Sequence, residues 1–233
     1  MKTLILADTH NQIERNENII ATENADLVIF LGDYFDSWGD TPTKNKETAK
    51  WLKESLRHSN RIHLIGNHDV SYAFHNNYTC CSGWTQEKHK SINSVLVKRD
   101  WEKLKWYYVL DGWFFTHAGL HVNHTPLTNK TLESIQSWMK VQAINANQKL
   151  TNGDYHWFYL AGKRRGGVVD IGGITWCDAR EFKPIPNVKQ IFGHTPLYKA
   201  TWIDQSNLCL DSERNDYAIW DGKSLEIKTY NDK

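Results

Sequence analysis

Three short apolar runs constrain this chain more than any other feature: "TLILAD" (Thr3 to Asp8), "DLVIFLGD" (Asp26 to Asp33) and "RIHLIGNHD" (Arg61 to Asp69). Each is continuously apolar rather than alternating, as a strand covered on both faces requires. Between them lie two segments of helical composition, Gln12 to Glu23 and Thr43 to Arg57. In the second, Ala49, Leu52 and Leu56 form a narrow apolar stripe at i, i+3 and i+7. The order β-α-β-α-β predicts parallel pairing with right-handed crossovers and places the chain in the α/β class.

Downstream the pattern loosens. From about Val70 to Asp100 the chain is polar and reads as a long surface excursion, with a short helix near Trp101 to Tyr107. "GWFFTHAGL" (Gly112 to Leu120) predicts a strand ending in a turn, and Thr131 to Leu150 a helix with Leu132, Ile135, Met139, Gln142 and Ala143 on one side. A glycine-rich loop, "AGKRRGGVVDIGG" (Ala161 to Gly173), leads through a strand-like "ITW" in "ITWCDAREF" to the strand of "VKQIFGHTP" (Val188 to Pro196). Three β-like runs follow, "ATWID", "NLCLD" and "YAIWDGKSLEIKTY", the last with Asp221-Gly222 as a hairpin signal. No repeat or linker divides the chain. One domain over 1–233 is expected, with 71–100 and 121–173 as insertions that shape a substrate cleft.

Acidic and basic residues nearly cancel, at 27 against 28, which gives no electrostatic drive toward a nucleic-acid or membrane partner. "MKTLILAD" is too briefly apolar for a secretory signal, and no run approaches the roughly 18 residues of a membrane span. The four cysteines show no C-x-x-C spacing, so a reduced, cytoplasmic compartment is the simplest expectation. Eleven tryptophans read chiefly as packing residues.

The chemistry lies where the strands stop. Asp8 and His10 follow the first, Asp33 and Asp36 the second, and Asn67, His68 and Asp69 the third; His117 and His194 end two later strands. In α/β sheets ligands gather beyond the carboxyl ends of strands. Singly, each residue has an ordinary use: Asp8 as a helix cap, Asp33 and Asp36 in turns, a histidine as a satisfied polar group. Five strand ends carrying ligand-competent residues together point to a metal centre. The mix of carboxylate, amide and imidazole suits Mn²⁺, Zn²⁺ or Fe²⁺ better than Ca²⁺ or Mg²⁺ alone.

The blocks Asp8-Thr-His10, Gly32-Asp33-Tyr-Phe-Asp36, Gly66-Asn67-His68-Asp69, Thr-His117-Ala-Gly and Phe-Gly193-His194-Thr resemble, in order and rough spacing, the calcineurin-like metallophosphoesterases. They look most like the bacterial and phage phosphoprotein-phosphatase and diadenosine-tetraphosphatase branch. The resemblance implies a four-layer α/β/β/α sandwich of two mixed sheets. It also implies two divalent ions, Mn²⁺ first, with Zn²⁺, Fe²⁺, Ni²⁺ or Mg²⁺ as alternatives. Asp33 would bridge both ions; Asp8 and His10 would complete the protein ligands of one, and Asn67, His117 and His194 those of the other. A hydroxide between the ions would attack phosphorus in line. His68, oriented by Asp36, would protonate the leaving oxygen.

Two departures bear on substrate. The phosphoprotein-phosphatase pattern places an arginine after the second aspartate, and here Ser37 stands there, unable to replace a charged fork. Arg180 is the favoured substitute for gripping phosphate, then Arg165, with Arg164 beside it. Branches containing nucleases read Gly-His-x-His, whereas this chain reads "GHTP", which favours the phosphatase branch. The expected activity is phosphomonoester hydrolysis, extending to phosphoproteins. The alternatives are hydrolysis of dinucleoside polyphosphates, cyclic nucleotides or RNA ends, and a non-catalytic phosphate-binding module. The implied partner in each case is a phosphorylated molecule.

Overall fold

The apolar runs become the centre of two facing sheets. A computed structural model describes residues 1–231 apart from Leu127, Asn129 and Arg214. Leu127 and Asn129 of the expected 121–173 insertion, and residues 232–233 of the expected domain, thus lie outside the described residues. In order along the chain come β1 (Thr3–Leu6), α1 (Ile13–Glu23), β2 (Leu27–Phe30), α2 (Pro42–Ser55), β3 (Arg61–His63), α3 (Asn67–Ala73), α4 (Gln86–Asn93) and α5 (Lys98–Trp101). They are followed by β4 (Tyr107–Leu110), β5 (Trp113–Thr116), α6 (Leu132–Asn152), β6 (Lys189–Phe192), β7 (Thr201–Trp202), β8 (Asn207–Cys209), β9 (Asp216–Trp220) and β10 (Leu225–Thr229).

Each sheet is five-stranded and mixed, with orders β10-β9-β1-β2-β3 and β4-β5-β6-β8-β7. The three N-terminal strands are parallel, as their β-α-β-α-β order requires, and β9 lies antiparallel against the other edge of β1. In the second sheet β5, β6 and β8 are parallel, flanked by antiparallel β4 and β7. Ile5, Ile29 and Leu31 of the first sheet meet Phe115, Ile191 and Leu208 of the second in one apolar layer. On the outer face of the first sheet, Leu4, Leu6, Val28 and Phe30 pack with Ile19 of α1 and Ala49 and Leu52 of α2. Phe114 on the outer face of the second sheet joins Ile135 and Met139 of α6. Both faces of the central strands are therefore buried, and the architecture is the expected sandwich of two mixed sheets.

Several local expectations change. The 70–100 stretch is no bare excursion: it forms α3, α4 and α5, and Tyr72, Ile92, Leu96 and Trp101 are buried in the core. The short helix ends at Trp101, and Tyr107 begins β4. Asp111 and Gly112, both at positive φ, join β4 to β5 as a two-residue hairpin turn. Ile174 to Trp176 form a turn rather than a strand. Among the described residues no helix is long and apolar enough to cross a membrane.

Candidate metal centre

Parallel strands bring their carboxyl ends to one edge, and the two sheets bring those edges together. One donor atom each from Asp33, His117 and His194 lies within 4.8 Å of the others, and the same holds for Asp8, His10 and Asp33. Asp33 is common to both groups. The first sheet supplies Asp8, His10, Asp33 and Asn67, and the second supplies His117 and His194.

The surroundings fix each donor. Asp33 Oδ1 accepts the His68 backbone N–H at 2.9 Å, while Oδ2 lies 3.4 Å from His117 Nε2 and 3.9 Å from His10 Nε2. His10 Nδ1 donates to the Phe35 carbonyl at 2.7 Å and His117 Nδ1 to the Leu31 carbonyl at 2.9 Å, leaving each Nε2 directed at the centre. Asp69, buried, accepts the backbone N–H groups of Asp33, Tyr34 and Gly66 and so ties the second motif to the third. The backbone itself is strained here: Asp8, His10, Asp33, Asp36 and His194 all have φ between 38° and 69°. Non-glycine residues seldom adopt this left-handed region, and such strain concentrates at functional sites. Glycine is required beside them. A Cβ on Gly66 would lie 2.1 Å from Asp33 Oδ1, and one on Gly193 2.1 Å from Asp8 Oδ2.

The donor set fits a cation. His194 Nε2 is buried without a hydrogen-bond partner. One end of the Asn67 amide lies 2.8 Å from His194 Nδ1, 2.9 Å from His117 Nε2 and 3.3 Å from Asp33 Oδ2. Hydrogen bonding alone turns the amide NH₂ toward these groups, whereas an ion bound among them would take the amide oxygen as its donor. A nest of acceptors is what a divalent ion satisfies. The charges agree. Burial, with His117 and Arg165 nearby, pushes His194 well below the usual imidazole range, so it is neutral. Burial raises the Asp33 carboxyl, but His117, His68 and His10 outweigh it and hold the group below the ordinary range, so it is ionised.

Beside this cluster His68 Nδ1 meets Asp36 Oδ2 at 2.8 Å. Burial lowers the His68 pKa, yet Asp33 and Asp36 overcome it and raise the imidazole well above its usual value. A protonated imidazole held by a carboxylate is equipped to donate a proton.

The arginines sort unequally. Asp178, fully buried, accepts Arg180 Nε at 2.7 Å and an Arg180 terminal nitrogen at 2.6 Å, and lies 3.0 Å from Arg165 Nε. Arg165 also donates to the carbonyl of His194 at 3.2 Å, which places it against the centre. Arg180 keeps 61% of its side chain exposed. Arg164 is exposed, and among the described residues nothing ties it to the cluster. Ser37, in the place of the family pattern's arginine, accepts from Asn11 at 3.2 Å and so ties its turn to the loop after β1. Asp69 closes the third block, where sequence gives it no role of its own, and Cys81 and Asp178 carry no spacing signal. Only the fold brings them here.

A family described as calcineurin-like phosphoesterase matches residues 1–211. Among curated proteins none matches the chain. A cold-active protein-tyrosine phosphatase of a psychrophilic Shewanella species superposes with a TM-score of 0.62 at 14% identity, over 98% of this chain and 77% of that one. A putative diadenosine tetraphosphatase gives 0.55 at 13%, over 98% and 93%. A protein serine/threonine phosphatase from Saccharomyces cerevisiae gives 0.55 at 14%, over 100% and 80%.

Proposed function

The chain belongs to the calcineurin-like phosphoesterase family and is a metal-dependent phosphoric ester hydrolase; on that premise we propose that it is a phosphomonoesterase with a dinuclear centre. The reading is carried by the two donor groups that share Asp33, flanked by the His68–Asp36 pair. Asp8, His10 and Asp33 would hold one ion, and Asp33, Asn67, His117 and His194 the other. Mixed oxygen and nitrogen donors accommodate Mn²⁺, the first candidate, as well as Zn²⁺, Fe²⁺ or Ni²⁺. Bound divalent ions would supply charge neutralisation at the phosphoryl oxygens and a nucleophilic water near neutral pH.

The protein's own groups do the rest. Asp33, its backbone fixed by Asp69, would serve both positions with one carboxylate. His68 passes its Nε2 proton to the departing ester oxygen, and Asp36 holds Nδ1 and the ring orientation. Arg165 and Arg180, both docked on Asp178, present guanidinium groups for the phosphate. Two guanidiniums against one carboxylate leave a surplus positive charge, which favours a dianionic monoester over a monoanionic diester. Phosphoproteins fall within that class, and the tyrosine and serine/threonine phosphatases of similar fold act on such esters by their descriptions. The free state of all four cysteines supports a reducing, cytoplasmic setting.

The experiment is a Mn²⁺-supplemented hydrolysis panel: p-nitrophenyl phosphate and a phosphoserine peptide against bis-p-nitrophenyl phosphate and diadenosine tetraphosphate. Monoester turnover with little diester cleavage is the expected result. Activity confined to the nucleotide would move the assignment to a nucleotide hydrolase, and silence throughout with two ions bound would make the protein a binding module.

A further inference from the structure

Lys88 is a buried cation with an unusual set of partners. It sits in the first turn of α4, with its residue 8% exposed. Its ammonium lies 3.0 Å from Asp36 Oδ1, 2.6 Å from Asp40 Oδ1 and 2.9 Å from the Gly83 carbonyl oxygen. An ammonium has three protons to give, and these three acceptors use all of them. Lys88 therefore has no donor left for a phosphate and is not a substitute for the arginine missing at Ser37.

Its effect falls on Asp36. That carboxylate receives Lys88 and the Tyr72 hydroxyl, the latter at 2.6 Å, on Oδ1, and His68 Nδ1 on Oδ2. With Oδ1 occupied from two sides the carboxylate is held against rotation, and Oδ2 remains for the imidazole. Asp40 anchors the lysine from the other side and is itself fixed by Asn11 at 3.0 Å and Asn45 at 2.6 Å. Burying a charge is unfavourable unless partners compensate, and here two carboxylates enclose the lysine.

We infer that Lys88 is a positioning residue of the Asp36–His68 pair, delivered to the centre by the helical segment that follows the third motif. The inference rests on His68 serving as leaving-group acid, and its test separates the two ideas. A group that positions the acid matters where the leaving oxygen needs a proton, and little where it does not. A lysine that only pins α4 to the 36–40 turn would instead depress all substrates alike.

The experiment measures kcat and KM of Lys88→Met and His68→Asn on glycerol 2-phosphate, an alkyl ester, and on p-nitrophenyl phosphate, whose leaving group departs unprotonated. For Lys88→Met we expect roughly a tenfold or larger fall in kcat on the alkyl ester, a change within about twofold on the aryl ester, unchanged KM and both ions retained. Equal losses on the two esters, or a rise in KM alone, overturns the role. If His68→Asn itself fails to discriminate between them, the acid assignment falls, and Lys88 with it. If His68→Asn discriminates and Lys88→Met does not, only the Lys88 inference fails. Should Lys88→Met not fold, Asp40→Asn removes the lysine's other anchor without touching Asp36. The same selectivity then supports the role, and a uniform loss refutes it. An enzyme that leaves both monoesters untouched overturns the monoester reading alone, and the matching pair of alkyl and aryl diesters then carries the comparison.

Discussion

His194 donates its backbone N–H to both carboxylate oxygens of Asp8, at 3.2 and 3.0 Å, across 186 positions of the chain. The contact joins the carboxyl end of β6 to that of β1, so the donor sets of the two sheets are registered by a backbone-to-carboxylate bond. A side chain of one proposed ligand is thereby oriented by the backbone of another.

Gly193 permits that contact. In Gly193→Ala the new Cβ would sit 2.1 Å from Asp8 Oδ2 and 3.3 Å from Ala7 Cβ, so the carboxylate must turn away. We expect a stability loss of about 1–3 kcal/mol by urea unfolding, together with less than one ion at the Asp8 position by elemental analysis. Wild-type stability with two ions retained would contradict the crowding.

Asp33→Asn removes the only carboxylate common to both donor groups. Metal content should fall from two ions per chain toward one or none, and turnover by roughly a thousandfold or more. Two ions retained after dialysis would show that Asp33 does not bridge.

Asp178→Asn releases both guanidiniums at once. Arg180→Ala is expected to raise KM for a monoester by about tenfold and Arg165→Ala by less, while Asp178→Asn should do at least as much as Arg180→Ala. Metal content should stay at the wild-type level in Arg180→Ala. The reverse ranking of the two arginine variants would transfer the phosphate contact to Arg165.

His63 gives a pH signature independent of metal. It is 2% exposed, stacked on Phe30 and bonded to the Tyr34 hydroxyl at 2.9 Å and the Ser55 hydroxyl at 3.0 Å. Burial, with Arg61 adding to it, pushes its pKa down to about 3. Below the ordinary imidazole value the unfolded chain takes up a proton that the folded protein refuses. Stability is then full above about pH 6.5 and is lost as pH falls toward 3, by at most about 1.4 kcal/mol per pH unit. His63→Gln should lower stability at pH 8 and flatten this acid limb in unfolding titrations. An unchanged slope between pH 6 and 4 would show that His63 is not its source.

The central strands and the donor blocks were legible because each is local. Continuous apolar runs report burial on both faces, and Asp8, Asp33, Asn67, His117 and His194 sit at their ends. What no run records is a partner brought from far along the chain: Lys88 reaches Asp36 across 52 positions, and Arg165 reaches His194 across 29. The surface-excursion reading of 70–100 failed because Ile92 is the lone apolar residue of α4 and Leu96 lies in the short link between α4 and α5, both covered by parts of the fold distant in sequence. β4 was passed over although Asp111-Gly112 carries the same turn signal as Asp221-Gly222. There the loop to β10 runs over four residues, 221 to 224, with Asp221 accepting from the Lys223 and Ser224 backbones.

One pairing bears on how the protein is made. β1 is flanked by β2 on one side and by β9 on the other, with Thr3 opposite Trp220. During synthesis β1 can pair with β2 as soon as that strand emerges, but its second edge must stay open until residues 216–220 leave the ribosome. An open edge is a template for wrong partners, and contacts this distant in sequence form slowly. The strand that carries Asp8 to the centre therefore spends most of translation half-paired, and chaperone demand during expression should be greatest for nascent chains that stop short of β9.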